Sequence, residues 1–304
     1  MHLDIQQFVS NNVVCDIVSD AQNQWGTANI MFPSSLMVNL MDVAKGLQAR
    51  KIDRIDACMS VLSLAKDADR LDKKIILLIH HMQTVILILL YRLLMLPFEA
   101  VMHPINESEY CTRYLLPTFQ CLFDDDQRSV KLRWTSTEAV DDESKPDCLI
   151  SIMTANYVAC NIGFGEVKSE SESKDHRKAN FDLVRLGIFA KNAIDNDSLT
   201  GTVAIHAVGT HACFYLVQLK ADGLYTMIEL GNMNVPLSIC ELHGYLAYLS
   251  DLKVILKVFE DQCLPITTTS FPNRKRKSYS LEKIDPILTK TRDRKRKNIV
   301  SHQK

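Results

Sequence analysis

The chain has 304 residues, 47% of them hydrophobic and 23% charged, which is close to the globular average and allows one large domain, or one domain with appendages, around a sizeable core. A formal net charge of −1 excludes a polycation that holds nucleic acid along its whole length. The charge is uneven, however: an acidic excess over 124–147 and a basic excess over 273–297 point to a tail with a partner of its own.

In chain order, residues 1–35 mix short apolar pieces with Asn, Gln, Gly and Pro and predict little regular structure. The N-terminus "MHLDIQQFVSNN" has neither a basic n-region nor an apolar h-region, so no signal peptide is expected. Residues 36–98 have apolar side chains at three- and four-residue steps (Leu40, Val43, Leu47; Ile55, Met59, Leu62), which is helix spacing. Within them the run "KKIILLIHHMQTVILILLYRLLMLPFEAVM" is long enough to raise a membrane span. His80, His81, Gln83, Thr84 and Arg92 interrupt it, and a buried helix is the preferred reading, with a span as the lesser one.

Pro97 and Pro104 punctuate the chain before "NESEYCTRYLLPTFQCLF", where Asn106 followed by Glu109 resembles a capping box and predicts a helix start. The texture then changes. "SVKLRW" alternates as a strand, "TSTEAVDDES" is a loop, and "CLISIM" and "NIGFGEVK" read as two further strands, with "TANYVAC" able to extend either. "ANFDLVRLGIFAKNAID" is a helix with Phe181, Val184, Ile188 and Lys191 along one face. "TVAIHAVGTHACFYLVQLKADGLYTMIEL" holds two or three strands with a hairpin at "ADG", and "ELHGYLAYLSDLKVILKVFEDQ" closes the core as a helix. The expected class is α/β, a sheet between helices: a mainly helical region over 1–104, a core over 105–264 and a polar, basic tail over 265–304 that is expected to be disordered.

The nine cysteines form no C-x-x-C pair and no zinc-finger spacing with histidine, and most lie in apolar runs, so they read as buried free thiols in a reducing compartment. No P-loop, G-x-G-x-x-G or G-x-S-x-G occurs, which removes nucleotide-dependent and nucleophile-elbow chemistry. The chemistry-bearing candidate is "KPDCLISIMTANYVACNIGFGEVKS". Side chains two apart on a strand share a face, so Glu166 and Lys168 point together. If the two strands pair as a hairpin, Asp147 arrives at the same sheet end. Two carboxylates on one face suit Mg²⁺, with water and phosphate completing the shell, and a lysine beside them can orient an attacking water or steady developing charge. The plain alternative is solvent-facing charge at strand ends. Arg185 and Lys191 read as helix-surface cations, His176 and Arg177 as a polar loop, and His206 and His211 as structural histidines.

"KPD" followed by "GEVK" on the next strand resembles the PD-(D/E)xK nuclease superfamily, the restriction-endonuclease-like fold. More narrowly, "ESEYCTRYLLPTFQCLF…LRW…KPD…GEVK" resembles a group of proteins from early-diverging filamentous fungi. The resemblance covers roughly residues 105–264. It implies metal-dependent cleavage of nucleic acid, most simply DNA, with Mg²⁺ or Mn²⁺ held by Asp147 and Glu166, Lys168 positioning the water, and a further acid from the preceding helix: Glu107 or, preferably, Glu109. The superfamily also contains members that bind without cutting, which makes a binding module of the same fold the alternative.

The tail carries a second signal. Arg274, Lys275, Arg276 and Lys277 form one basic cluster, and Arg294, Lys295, Arg296 and Lys297 belong to another. They look like a bipartite nuclear-localisation signal read by an import receptor, and the same charge would bind phosphates nonspecifically. A nuclear protein with a nucleic-acid partner and no small-molecule cofactor is the resulting expectation.

Overall fold

The computed structural model describes residues 30–67, 90–101, 105–135, 145–155, 157–170, 176–221 and 223–264, with positions 16, 19–21, 23, 25 and 278 in addition. The apolar run between Asp67 and Leu90, the acidic loop 136–144 and both basic clusters of the tail lie outside the described residues. Among the described residues no helix is long and apolar enough to cross a membrane.

Six strands form one mixed sheet in chain order: β1 (Val130–Trp134), β2 (Cys148–Thr154), β3 (Tyr157–Lys168), β4 (Gly201–Val208), β5 (His211–Ala221) and β6 (Leu224–Asn234). Every neighbouring pair is antiparallel except β3 and β4, which run parallel. The class is therefore α/β, as expected. "TANYVAC" divides between the two strands it could extend, Ala155 takes a positive φ of 47° in the turn, and Thr154 pairs with Tyr157. "ADG" closes the last hairpin, where Ala221 pairs with Leu224 and Gly223 supplies φ 68°.

Helices cover both faces. The helix preceding β1 begins at α3 (Glu107–Tyr110), passes through a π turn over Cys111–Leu115 and continues as α4 (Leu116–Phe123); α1 (Ser34–Gln48) and α2 (Arg54–Asp67) precede it. Asn106 caps α3 as expected, its side chain accepting the Glu109 amide at 2.8 Å. Pro117 has no N–H to close an α-turn onto Arg113, which accounts for the wider turn just before it. On this side Phe119 and Phe123 of α4 and Phe259 of α7 (Leu249–Gln262) form a chain of ring contacts with each other and with Phe214 of β5. The other face carries α5 (His176–Asp197), the crossover between β3 and β4, with Phe189 stacked on Phe164 at 5.9 Å. With both faces covered, β3 is buried continuously from Ile162 to Val167.

On two helices the apolar stripe is not the buried face. On α2 the spacing is helical, but Ile55, Met59 and Leu62 point outward, at 72%, 63% and 40% exposure, while Ala57, Cys58 and Val61 face the core. On α5 the buried positions are Asp182, Leu186, Ala190, Ala193 and Ile194 rather than the stripe through Phe181, Val184 and Ile188. Asp182 and Arg185 lie on this inward side, where they join a charged network described below. The N-terminal region docks on the C-terminal helical segment that begins with the 3₁₀ turn Ile239–Glu241 and continues as α6 (Leu242–Tyr245): Gln48 donates to the Cys240 carbonyl at 2.8 Å and Lys253 to the Met31 carbonyl at 2.8 Å.

Close approach of β2, β3 and β4 depends on glycine at Gly165, where a Cβ would clash with Cys148 Sγ, and at Gly163. A Cβ on Gly163 would lie 2.7 Å from both Ile150 Cδ1 and Val203 Cγ1. Gly163→Ala is expected to cost about 1–3 kcal/mol in urea unfolding. Gly187→Ala on α5, where a Cβ meets Met227 Sδ at 3.9 Å, should instead gain up to about 1 kcal/mol.

Candidate active site

Register builds the site before any side chain is considered. Cys148 pairs with Gly165, so the residue before it, Asp147, stands beside Glu166 just ahead of the start of β2, while β3 continues. The Val167 amide is left without a strand partner there, and Asp147 Oδ2 accepts it at 2.7 Å. The carboxylate thus sits on the N–H of the residue between Glu166 and Lys168. The "KPD" segment is held from three sides: Thr135 N donates to the Asp147 carbonyl at 2.9 Å, the Thr135 hydroxyl bonds the Pro146 carbonyl, and Arg185 donates to the Lys145 carbonyl at 3.0 Å.

Glu166 and Lys168 share the face under α5. Glu166 is 1% exposed, and burial together with the neighbouring Asp147 charge raises its pKa to about 8 against the pull of Arg185. Arg185 reaches both Glu166 oxygens at 3.4 Å and Asp182 at 3.6 Å, with only 11% of its side chain exposed. It is no surface cation. Lys168 lies 3.8 Å from Asp182. Burial opposes its charge, but the carboxylates of Asp182, Asp147, Glu166 and Glu107 outweigh that and raise its pKa. Lys191, by contrast, pairs with Asp195 one turn along α5, at 2.8 Å.

The two glutamates of the preceding helix take different positions. Glu109 points along the outer side of the helix and pairs with Arg113 at 3.1 Å. It is Glu107 whose charge acts on Lys168 and on Cys111. A four-residue step puts Glu107 over Cys111 on the inward side of the helix, whereas Glu109 lies over Arg113. The cap at Asn106, legible in the sequence, locates the helix start but not which glutamate faces the sheet.

His206 completes the neighbourhood. It pairs with Glu166 across the parallel ladder, is 6% exposed, and its pKa is lowered to about 4 by burial and by the charges of Lys168 and His211. It is a neutral imidazole at ordinary pH. Asp182, Arg185 and His206 were not legible as site residues, because a crossover helix and a neighbouring strand bring them in. An acid and an arginine three residues apart on a helix otherwise apolar at those turns is the signal that was available.

Asp147 and Glu166 set two carboxyl groups at one sheet end, the kind of oxygen donor a hard divalent cation takes, and Glu166 Oε1, which accepts no hydrogen bond, lies 3.4 Å from Arg185 Nη2. Among the described residues no group of three or more His, Cys, Asp or Glu is placed to hold a metal ion. Arg185 meanwhile supplies the positive charge that Glu166 faces. No family model, no curated protein and no solved structure matches the chain.

The raised Glu166 pKa has a stability consequence with a definite sign. The folded state holds this proton more tightly than the unfolded chain does. Its contribution is therefore fully present below about 4.5 and is lost as pH rises through about 8. Glu166→Gln removes this dependence. The stability difference between variant and wild type should grow in the variant's favour across that window, with a slope approaching about 1.4 kcal/mol per pH unit in urea titrations. A flat difference would mean that Arg185 already keeps Glu166 ionised.

Proposed function

We propose that the chain is a divalent-metal-dependent nuclease with a restriction-endonuclease-like core of the PD-(D/E)xK type, acting on phosphodiester bonds of nucleic acid, most simply DNA. One observation carries the reading: the Asp147 carboxylate on the Val167 amide, which brings it beside Glu166 and Lys168. The order of helix, three antiparallel strands, crossover helix and parallel strand supports the same core. Asp147 and Glu166 would hold Mg²⁺ or Mn²⁺, which supplies an activated water and neutralises charge on the phosphoryl group when bound. Lys168 orients the attacking water, Asp182 steadies Lys168, and Glu107 adds to the acidic wall. The two basic clusters, Arg274–Lys277 and Arg294–Lys297, support nuclear import through a receptor and a phosphate-rich partner.

Arg185 favours a second reading, a nucleic-acid or protein-binding module of the same fold. Its guanidinium faces both Glu166 oxygens, the position a cation would otherwise take.

Cleavage of plasmid DNA with Mg²⁺ or Mn²⁺ separates the two. The nuclease reading expects nicking that falls at least about 100-fold in Lys168→Ala and in Asp147→Asn, with the thermal melt retained. DNA that is bound but left intact under every divalent metal supports the module. DNA neither bound nor cut would sink both nucleic-acid readings.

A further inference from the structure

A second constellation lies on the same sheet face, two strands away. The β4–β5 hairpin turns on Gly209 and Thr210, with Val208 paired to His211. This turn is tied at both sides: Gly209 N donates to the Lys168 carbonyl at 3.0 Å, and Val235 N to the Thr210 carbonyl at 2.8 Å. His211 is thereby placed opposite Asn234 and two residues from Cys213, on one face.

The hydrogen bonds there read in one direction. Asn234 Nδ2 donates to the Tyr248 hydroxyl at 3.0 Å, which turns the amide oxygen toward His211. That oxygen is an acceptor only, and it lies 3.2 Å from His211 Nδ1, so Nδ1 carries the hydrogen. Nε2 is then left with a lone pair, and it lies 3.2 Å from Cys213 Sγ. A thiol, a base in contact with it and a group that orients the base form the arrangement of an activated nucleophile. Burial and the Glu229 charge raise the Cys213 pKa, so the resting sulfur is a thiol and needs a base to react; the Tyr215 hydroxyl hydrogen-bonds the sulfur and favours the thiolate once formed.

We infer that Cys213 is a reactive thiol that exchanges with small disulfides, with His211 as its base and with Asn234 and Tyr248 setting the imidazole's tautomer. The Cys213 proton passes to His211 Nε2 and Sγ attacks one sulfur of the disulfide. The S–S bond breaks, and the departing thiolate takes the proton from His211. A mixed disulfide and one free thiol result, with no further oxidant. The site rests on β5, β6 and Tyr248, and its proton transfer uses neither Asp147 nor Glu166.

The full-length protein supplies its own reference, because Cys240 is exposed while Cys213 is half-buried. With oxidised glutathione at neutral pH and peptide mapping of the adducts, Cys213 should react at least about tenfold faster than Cys240. In His211→Gln, Cys213 should fall to the Cys240 rate or below, with the Cys240 rate unchanged. A Cys213 rate unaffected by His211→Gln, or slower than Cys240 in the wild type, would overturn the inference. Imidazole nitrogen shifts of the wild-type protein test it without any variant: the Nδ1–H tautomer of His211 is expected, and the Nε2–H tautomer overturns it.

Discussion

β3 and β4 lie parallel, so no hairpin can join them; the chain between them must cross a face of the sheet, and α5 is that crossing. Three consequences follow from this one pairing. It sets Glu166 beside His206 and Lys168 beside Val208. It lays the first turns of α5 over the ends of both strands, which puts Asp182 next to Lys168 and Arg185 next to Glu166. It also leaves β2 as the antiparallel neighbour on the other side, starting one residue after Asp147, so that Asp147 takes the amide that the ladder leaves open.

The two sheet faces differ in how much polar chemistry they carry. One is apolar, with Phe214 touching Phe119 and Phe123, and Phe123 touching Phe259. On the other, cross-strand rows place Lys168, Val208, His211 and Asn234 side by side, then Glu166, His206, Cys213 and Asn232. A buried polar face of this kind is stable only if its groups find partners. Arg185 and Asp182 provide them under α5, and Asn234 and Tyr248 provide them where α5 no longer covers the sheet. The exposure gradient along these rows, from Glu166 inside to His211 outside, separates an enclosed charged site from an accessible thiol site.

The pattern legible beforehand was the pattern of local rules. Alternation marked β1, the turn residues marked the last hairpin, and Asn106 marked the start of the helix before β1, because each rests on a few neighbouring residues. What escaped was orientation. Ile55, Met59 and Leu62 have helix spacing but face outward, since spacing identifies a stripe and not the surface that covers it. Glu107 and Glu109 are two residues apart, so a turn of helix sends them to opposite sides, and only the packing of Cys111 and Tyr114 selects the inward one. Arg185 read as solvated because a lone arginine on a helix usually is; its partners come from strands distant in the chain.

By itself the sequence determined the element order, the α/β class and the sharing of a face by Glu166 and Lys168, because strand alternation and turn chemistry act within a few residues. Only the tertiary structure decided that Asp147 joins them, that Arg185 and Asp182 enclose them, that the Glu107 charge rather than that of Glu109 acts on Lys168, and that His211 touches Cys213 with Asn234 behind it. Those depend on strand register and on the rotation of packed helices, which are set by long-range burial and by the need of each buried charge for a partner.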